Sequence, residues 1–159
     1  MDMKLPYCKT SEAIKGYQES VIAKGERNDC VVRAFASSFD IPYDESHTYC
    51  EKVLHRKHRD GVKNFVVRLE TLVKKNEVIN GKKFNLVGKF YSLYYDVKIK
   101  NKKIKRALTV GKFIKDNPIG TFLVSVRGHA FTIKNGVVIG NVEDAKKTRR
   151  VLQSIWKIV

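Results

Sequence analysis

The spacing of apolar positions divides the chain into a helical first half and an extended second half. In residues 11 to 24, Ile14, Tyr17 and Val21 recur at helical spacing behind Ser11 as N-cap, and Gly25 ends the run. Residues 25 to 40, GERNDCVVRAFASSFD, put Val31, Ala34, Phe35, Ser38 and Phe39 on one stripe, with Asp29 as cap and Ile41-Pro42 as the stop. Ala34, Ala36, Ser37 and Ser38 are small, so this helix suits the centre of a domain. A third helix starts at Tyr43 or Asp44 and runs to about Lys57, with His47, Cys50, Val53 and Leu54 on one face. Residues 64 to 75 carry Phe65, Val66, Val67, Leu69, Leu72 and Val73, a pattern that suits a helix or a strand.

The period then shortens. FNLVGKFYSLYYDVKI, residues 84 to 99, alternates and predicts one or two strands, and KIKNKKIKR, residues 98 to 106, reads as a solvated basic loop or strand end. Thr109 caps a short helix that Pro118 stops after Asn117. GTFLVSVRG, HAFTI, the turn residues Asn135-Gly136, VVIGNV and finally RRVLQSIWKIV (149 to 159) complete a set of antiparallel strands. Helices first and strands last define an α+β class. The expected division is an N-terminal arm and helix over 1–24 and a single domain over 25–159.

Composition changes this picture in three ways. Hydrophobic residues make up 43% of the 159, enough to build a core, and no apolar run reaches the roughly 20 residues that span a bilayer. The start, Met1-Asp2-Met3-Lys4-Leu5-Pro6, lacks the apolar core of a secretion signal, so the expected setting is a reducing cytoplasm without membrane association. Cys8, Cys30 and Cys50 are odd in number and lie at no metal-ligand spacing, which argues against a disulfide framework and a structural zinc site. Charge is the third change: 32 Lys plus Arg against 16 Asp plus Glu leave a net +16. A field of that sign raises encounter rates with nucleic acid or acidic proteins.

One thiol has the surroundings of a nucleophile. Cys30 falls in the first turn of its predicted helix, where unpaired N–H groups favour the thiolate. A base must come within hydrogen-bond reach, and histidine has the appropriate pKa. His129 opens a late strand. His47 lies on an apolar stripe, His55 and His58 sit in the charged connector HRKHRDG, Cys50 occupies a core position, and Cys8 lies in the arm. None of these has the neighbours of a metal or catalytic group, and no cofactor is expected.

Asn28-Asp29-Cys30 at a helix start, Arg33-Ala34 within it, then Gly128-His129-Ala130 and the Asn135-Gly136-Val137-Val138 hairpin resemble the papain-like cysteine peptidases, in particular small phage-encoded proteins of that superfamily. The resemblance covers about residues 25 to 158. It implies a central Cys-bearing helix packed on a C-terminal antiparallel sheet, Cys30 as nucleophile and His129 as base. It also implies an oxyanion donor before the cysteine, where Asn28 stands in place of the family's glutamine. If phage-encoded, the protein acts in the host cytoplasm on a protein or peptide substrate.

The third member is Asn141 or Asp144, and hairpin geometry separates them. A two-residue Asn135-Gly136 turn pairs Lys134 with Val137, sets His129 against Val142 and turns Asn141 to the other side. A three-residue Lys134-Asn135-Gly136 loop pairs Ile133 with Val137 and sets His129 opposite Asn141, with Phe131 and Ile133 packed inward. We expect the three-residue loop and Asn141. The alternative function is a non-enzymatic basic module of the same fold, binding nucleic acid or an acidic host protein. Phe90, Tyr91, Tyr94 and Tyr95 among lysines suit base stacking, or equally an amphipathic strand with its rings in the core.

Overall fold

The computed structural model describes residues 4–159, so the reading of Met1-Asp2-Met3 as part of a start without a secretion signal lies outside the described residues. Its elements run β1 (Tyr7–Lys9), α1 (Thr10–Ala13), α2 (Val21–Lys24), α3 (Cys30–Phe39), α4 (Tyr43–Val53), α5 (Phe65–Lys74), β2 (Phe84–Lys89), β3 (Tyr94–Ile99), β4 (Lys102–Ala107), α6 (Val110–Asp116), β5 (Thr121–Val126), β6 (His129–Lys134), β7 (Val137–Gly140), α7 (Val142–Lys146) and β8 (Ser154–Ile158). A 3-10 turn, Phe90–Ser92, joins β2 to β3. Six strands form one sheet in the order β1-β7-β6-β5-β8-β2, and β3 with β4 forms a separate ribbon. The class is α+β.

Both faces of the large sheet are covered, which explains the near-continuous hydrophobicity of residues 121 to 126. Leu123, Ala130, Trp156 and Ile158 pack with α3, α4 and α5 on one side. Phe122, Val124, Phe131, Ile133 and Ile155 alternate to the other side, under α6 and α7. Helix α3 lies across β6, and hydroxyls fix it there. Thr132 Oγ1 donates to the Ala34 carbonyl at 2.9 Å and meets Ser37 and Ser38 Oγ at 2.8 Å each. A fully buried polar knot of this kind leaves the helix one seat on the strand, because any slip strands a hydroxyl without a partner.

Several expectations need correction. The helix over 11 to 24 is two single turns, because Gly16 at φ +72° turns the chain between them. The sheet is mixed rather than antiparallel: the N-terminal arm adds β1 parallel to β7, pairing Tyr7 with Val138 and Lys9 with Gly140. Residues 65–74 are helical, since Val66, Leu69 and Leu72 reach the core while Val67 is exposed. The run 98 to 106 belongs to the β3–β4 ribbon, and 149 to 153 precede β8 rather than joining it.

The β6–β7 hairpin has the two-residue loop, not the three-residue one. Lys134 pairs with Val137 and Ile133 with Val138. Asn135 (φ +48°) and Gly136 (φ +76°) both take the left-handed conformation, which defines the tight turn whose twist matches paired strands. Asn135 Oδ1 accepts from the Gly120 N–H at 2.9 Å and locks that turn to the start of β5.

Candidate active site

Cys30 is the first residue of α3, and its backbone N–H has no acceptor among the described residues. His129 is the first residue of β6, placed there by Gly128, whose φ of +71° closes the two-residue turn from Val126. Because α3 crosses β6, the two residue starts coincide. The thiol is largely buried, which raises its pKa. Hydrogen bonds from His129 and from the Ala130 backbone N–H, with the positive charge of the imidazole, outweigh that and hold Cys30 below the ordinary thiol value. Burial disfavours the imidazolium, yet hydrogen bonds to Asp144 and Cys30 raise His129 to about 9. The two shifts share a cause, since the contact between thiol and ring lowers one and raises the other.

The carboxylate on that ring is Asp144, not Asn141. Asp144 Oδ1 and Oδ2 lie 2.9 and 3.0 Å from His129 Nε2. With Nε2 so occupied, Nδ1 is the nitrogen left for the thiol. The two-residue turn explains the exchange. It would set His129 opposite Val142, but β7 ends at Gly140 and the chain turns at Asn141 into α7. Asn141 becomes the N-cap: its N–H donates to Asp144 Oδ2 at 2.8 Å, and its backbone carbonyl accepts from the Asp144 N–H at 3.0 Å. The cap thus holds Asp144 under the histidine.

Two further residues secure this carboxylate, and neither was anticipated. Arg150 Nη1 donates to Asp144 Oδ1 at 3.0 Å. Gly140 leaves the space: a Cβ there would lie 2.4 Å from Asp144 Oδ2 and 3.3 Å from Phe131 Cβ. A glycine closing a strand directly before an Asn-x-x-Asp cap was the available signal.

The residues before the thiol also differ from expectation. Asp29 occupies the cap position but makes no capping bond. Its carboxylate is buried, accepts from Tyr43 Oη at 2.7 Å and pairs with Arg33 Nε at 3.1 Å, so it points away from sulfur. Burial, together with Asp29, in turn pushes the Tyr43 phenol up. Asn28 (φ +53°) gives one amide hydrogen to the Arg59 carbonyl at 3.2 Å and keeps a second.

Cavities of about 690 and 500 Å³ meet at Cys30, His129, Ala130, Gly128, Asp60 and Gly61. The larger is lined by polar groups including Arg27, Asn28, Arg33 and Asn141. The smaller is lined by Val62, Phe65, Val66, Phe90 and Val126. Both sizes suit part of a ligand.

Away from the thiol, Glu26 gathers His47 (2.6 Å) and Arg56 (2.7 Å) on Oε2, with His58 Nδ1 at 3.8 Å. Sequence spacing did not reveal this group, the one set of potential metal ligands among the described residues. Arg56 Nη1 also approaches His47 Nε2 to 3.5 Å, so a guanidinium already neutralises the carboxylate where a cation would bind. Burial opposes the Glu26 charge, but the hydrogen bonds from Arg56 and His47 prevail and hold its carboxyl at about 2. Cys50 is fully buried, and burial pushes its thiol up to about 12. Cys8 lies on β1.

No family model matches the chain. No solved structure matches it either. A cobyrinate a,c-diamide synthase from Sulfolobus acidocaldarius is 30% identical over 116 residues, which is 70% of this chain. The chain spans 25% of that relative's length. No helix among the described residues is long and apolar enough to cross a membrane.

Proposed function

We propose that the protein is a papain-like thiol hydrolase of the small phage-encoded type, a cysteine peptidase or related acyl-transfer enzyme acting on a protein or peptide carbonyl in the host cytoplasm. The observation that carries this reading is the chain of contacts from Asp144 through His129 Nε2 to a thiol held below its ordinary pKa. A half-buried imidazole with a carboxylate on one side and a thiol on the other has the arrangement that activates sulfur.

The Cys30 thiolate attacks the carbonyl carbon, forming a C–S bond and moving the π electrons onto oxygen. The Cys30 backbone N–H, in the first turn of α3, and the second amide hydrogen of Asn28 receive that oxyanion. Collapse restores the carbonyl and breaks the bond to the leaving group, which takes the proton from the His129 imidazolium. Neutral His129 then removes a proton from water, whose oxygen displaces the thiolate from the thioester. Sulfur leaves as thiolate, the acid departs, and the proton remains on His129. Asp144 keeps the ring oriented and stabilises its charge in both steps.

Alkylation with iodoacetamide across pH, read by mass spectrometry at each cysteine, tests the proposal. Cys30 is expected to react fastest of the three thiols and to lose less of its rate than Cys8 as pH falls from 8 to 6, because the ring and the Ala130 N–H hold it below the ordinary thiol value. A Cys30 rate that climbs with pH in step with Cys8 would sink the reading.

A further inference from the structure

The strongest charged feature outside the thiol site is the β3–β4 ribbon. Lys98, Lys100, Lys102, Lys103, Lys105 and Arg106 are all exposed on it, against the single carboxylate of Asp96. The register sets Lys98 directly opposite Lys103, an arrangement that destabilises a strand pair. A few lysines guard an exposed edge against aggregation. Five cations along two strands and Lys100 in their turn exceed that need: Asp96 offsets Lys103 at 3.3 Å, and the repulsion among the rest is relieved when a polyanion lies along them.

The rings at the base of the ribbon identify the polyanion. Phe90, Tyr91 and Tyr94 are 49%, 91% and 47% exposed. They are held outward rather than left over. Phe90 takes φ +44°, an unusual conformation for a bulky residue, and its N–H donates to the Gln153 carbonyl at 2.7 Å. The 3-10 turn is closed by Lys89 N–H to Ser92 Oγ at 2.9 Å and pinned by buried Leu93, which approaches Gly88 so closely that a Cβ there would lie 2.4 Å from Leu93 Cδ2. An acidic protein would satisfy the cations and leave the rings without a role. A duplex keeps its base faces stacked on one another. Unpaired bases meet both demands, phosphates on the lysines and base faces on the rings.

We infer that the β3–β4 ribbon and the aromatic turn before it bind single-stranded nucleic acid. Phe90 also lines the smaller cavity beside Cys30, so the test uses the full chain with Cys30→Ser as well as the unsubstituted protein, and equal binding by the two is expected. Fluorescence anisotropy with labelled oligothymidine is expected to show binding that weakens steeply with salt. The triple variant K98Q/K103Q/K105Q is expected to lower the log–log salt slope by about 2, since each phosphate contact on a single strand contributes about 0.7. A charge-matched control, K24Q/K52Q/K83Q, leaves the slope unchanged. Y91A weakens binding on the order of tenfold at unaltered slope, and a residue so exposed is removed without unfolding the protein. A slope equal in the triple variant and the control overturns the proposal. So does binding to the matching duplex or to polyglutamate as tight as to oligothymidine.

Discussion

His129 and His47 are each held through Nε2 by a carboxylate, Asp144 at 2.9 Å and Glu26 at 2.6 Å. Around His47 the carboxylate is shared with Arg56, whose side chain is 2% exposed, and with the backbone N–H of Arg59. Every charge there has a partner of opposite sign, and the cluster ties the segment before Cys30 to α4 and the following loop. Around His129 the carboxylate has an arginine as well, yet the ring also faces a thiol at the meeting of two cavities. At His47 the Arg56 guanidinium meets the same Nε2 and the same carboxylate oxygen, so the group closes on itself as a salt bridge. At His129 the ring has a thiol as a further neighbour, and the proposed chemistry rests on that difference.

Four substitutions sharpen that contrast. The largest effect is expected from His129→Ala, which should slow Cys30 alkylation at pH 7 by roughly 10²–10⁴-fold, the usual contribution of a positioned base. The remaining rate should rise more steeply with pH, as burial of the thiol is then opposed only by the backbone N–H groups of Ala130 and Val31. Next is Glu26→Ala, which leaves Arg56 buried without its partner and should cost about 3–5 kcal/mol in urea denaturation. Its sign with pH follows from a folded pKa below the unfolded one. The Glu26 contribution is complete above about 4.5 and is lost as pH falls to about 2, so the variant should lack that part of the acid sensitivity. The pH profile of Cys30 alkylation should be unchanged in it.

Asp144→Asn comes third. It removes the charge that raises His129, so the upper limit of the ion pair should move from about 9 toward the ordinary 6.5. Alkylation at pH 8 should fall about tenfold, the effect of one pKa unit. The same shift governs stability in the unsubstituted protein. A folded pKa above the unfolded value stabilises fully below pH 6.5, and that contribution disappears as pH rises through 9. Gly140→Ala is the smallest change, one methyl group placed 2.4 Å from Asp144 Oδ2. It should displace the same limit in the same direction by a fraction of the Asp144→Asn shift. An unmoved profile would show that the carboxylate finds its position without the glycine.

Local chemistry made part of this site legible in the sequence. Thr109 caps α6 by accepting from the Lys112 N–H, and the helix at Cys30 and the strand at His129 have the predicted order. What was illegible depended on choices between near-equal local geometries. Asn135-Gly136 allows a two- or three-residue loop, and the bond to Gly120, distant in sequence, belongs to the two-residue form. That one-residue difference exchanges Asn141 for Asp144 at the ring. Asp29 offered itself as a cap, but Tyr43 and Arg33 supplied a buried site for its carboxylate. β1 was invisible because three residues carry little pattern, and its partner lies at the other end of the chain. The aromatics after Lys89 alternate as core residues do, yet Gly88 and Leu93 set a turn that sends three of them to the surface.

The pairing of β1 with β7 also has a consequence in time. Cys30 emerges early during synthesis, whereas His129, Asp144 and Arg150 all come from the last third of the chain. A nascent protein therefore carries its thiol before the imidazole it meets in the fold, and the edge beside Tyr7 stays open until Val138 arrives. Translation proceeds from the N-terminus at a finite rate, so this interval is real. During it the unfinished chain lacks the ring and the carboxylate on which the proposed chemistry of Cys30 depends.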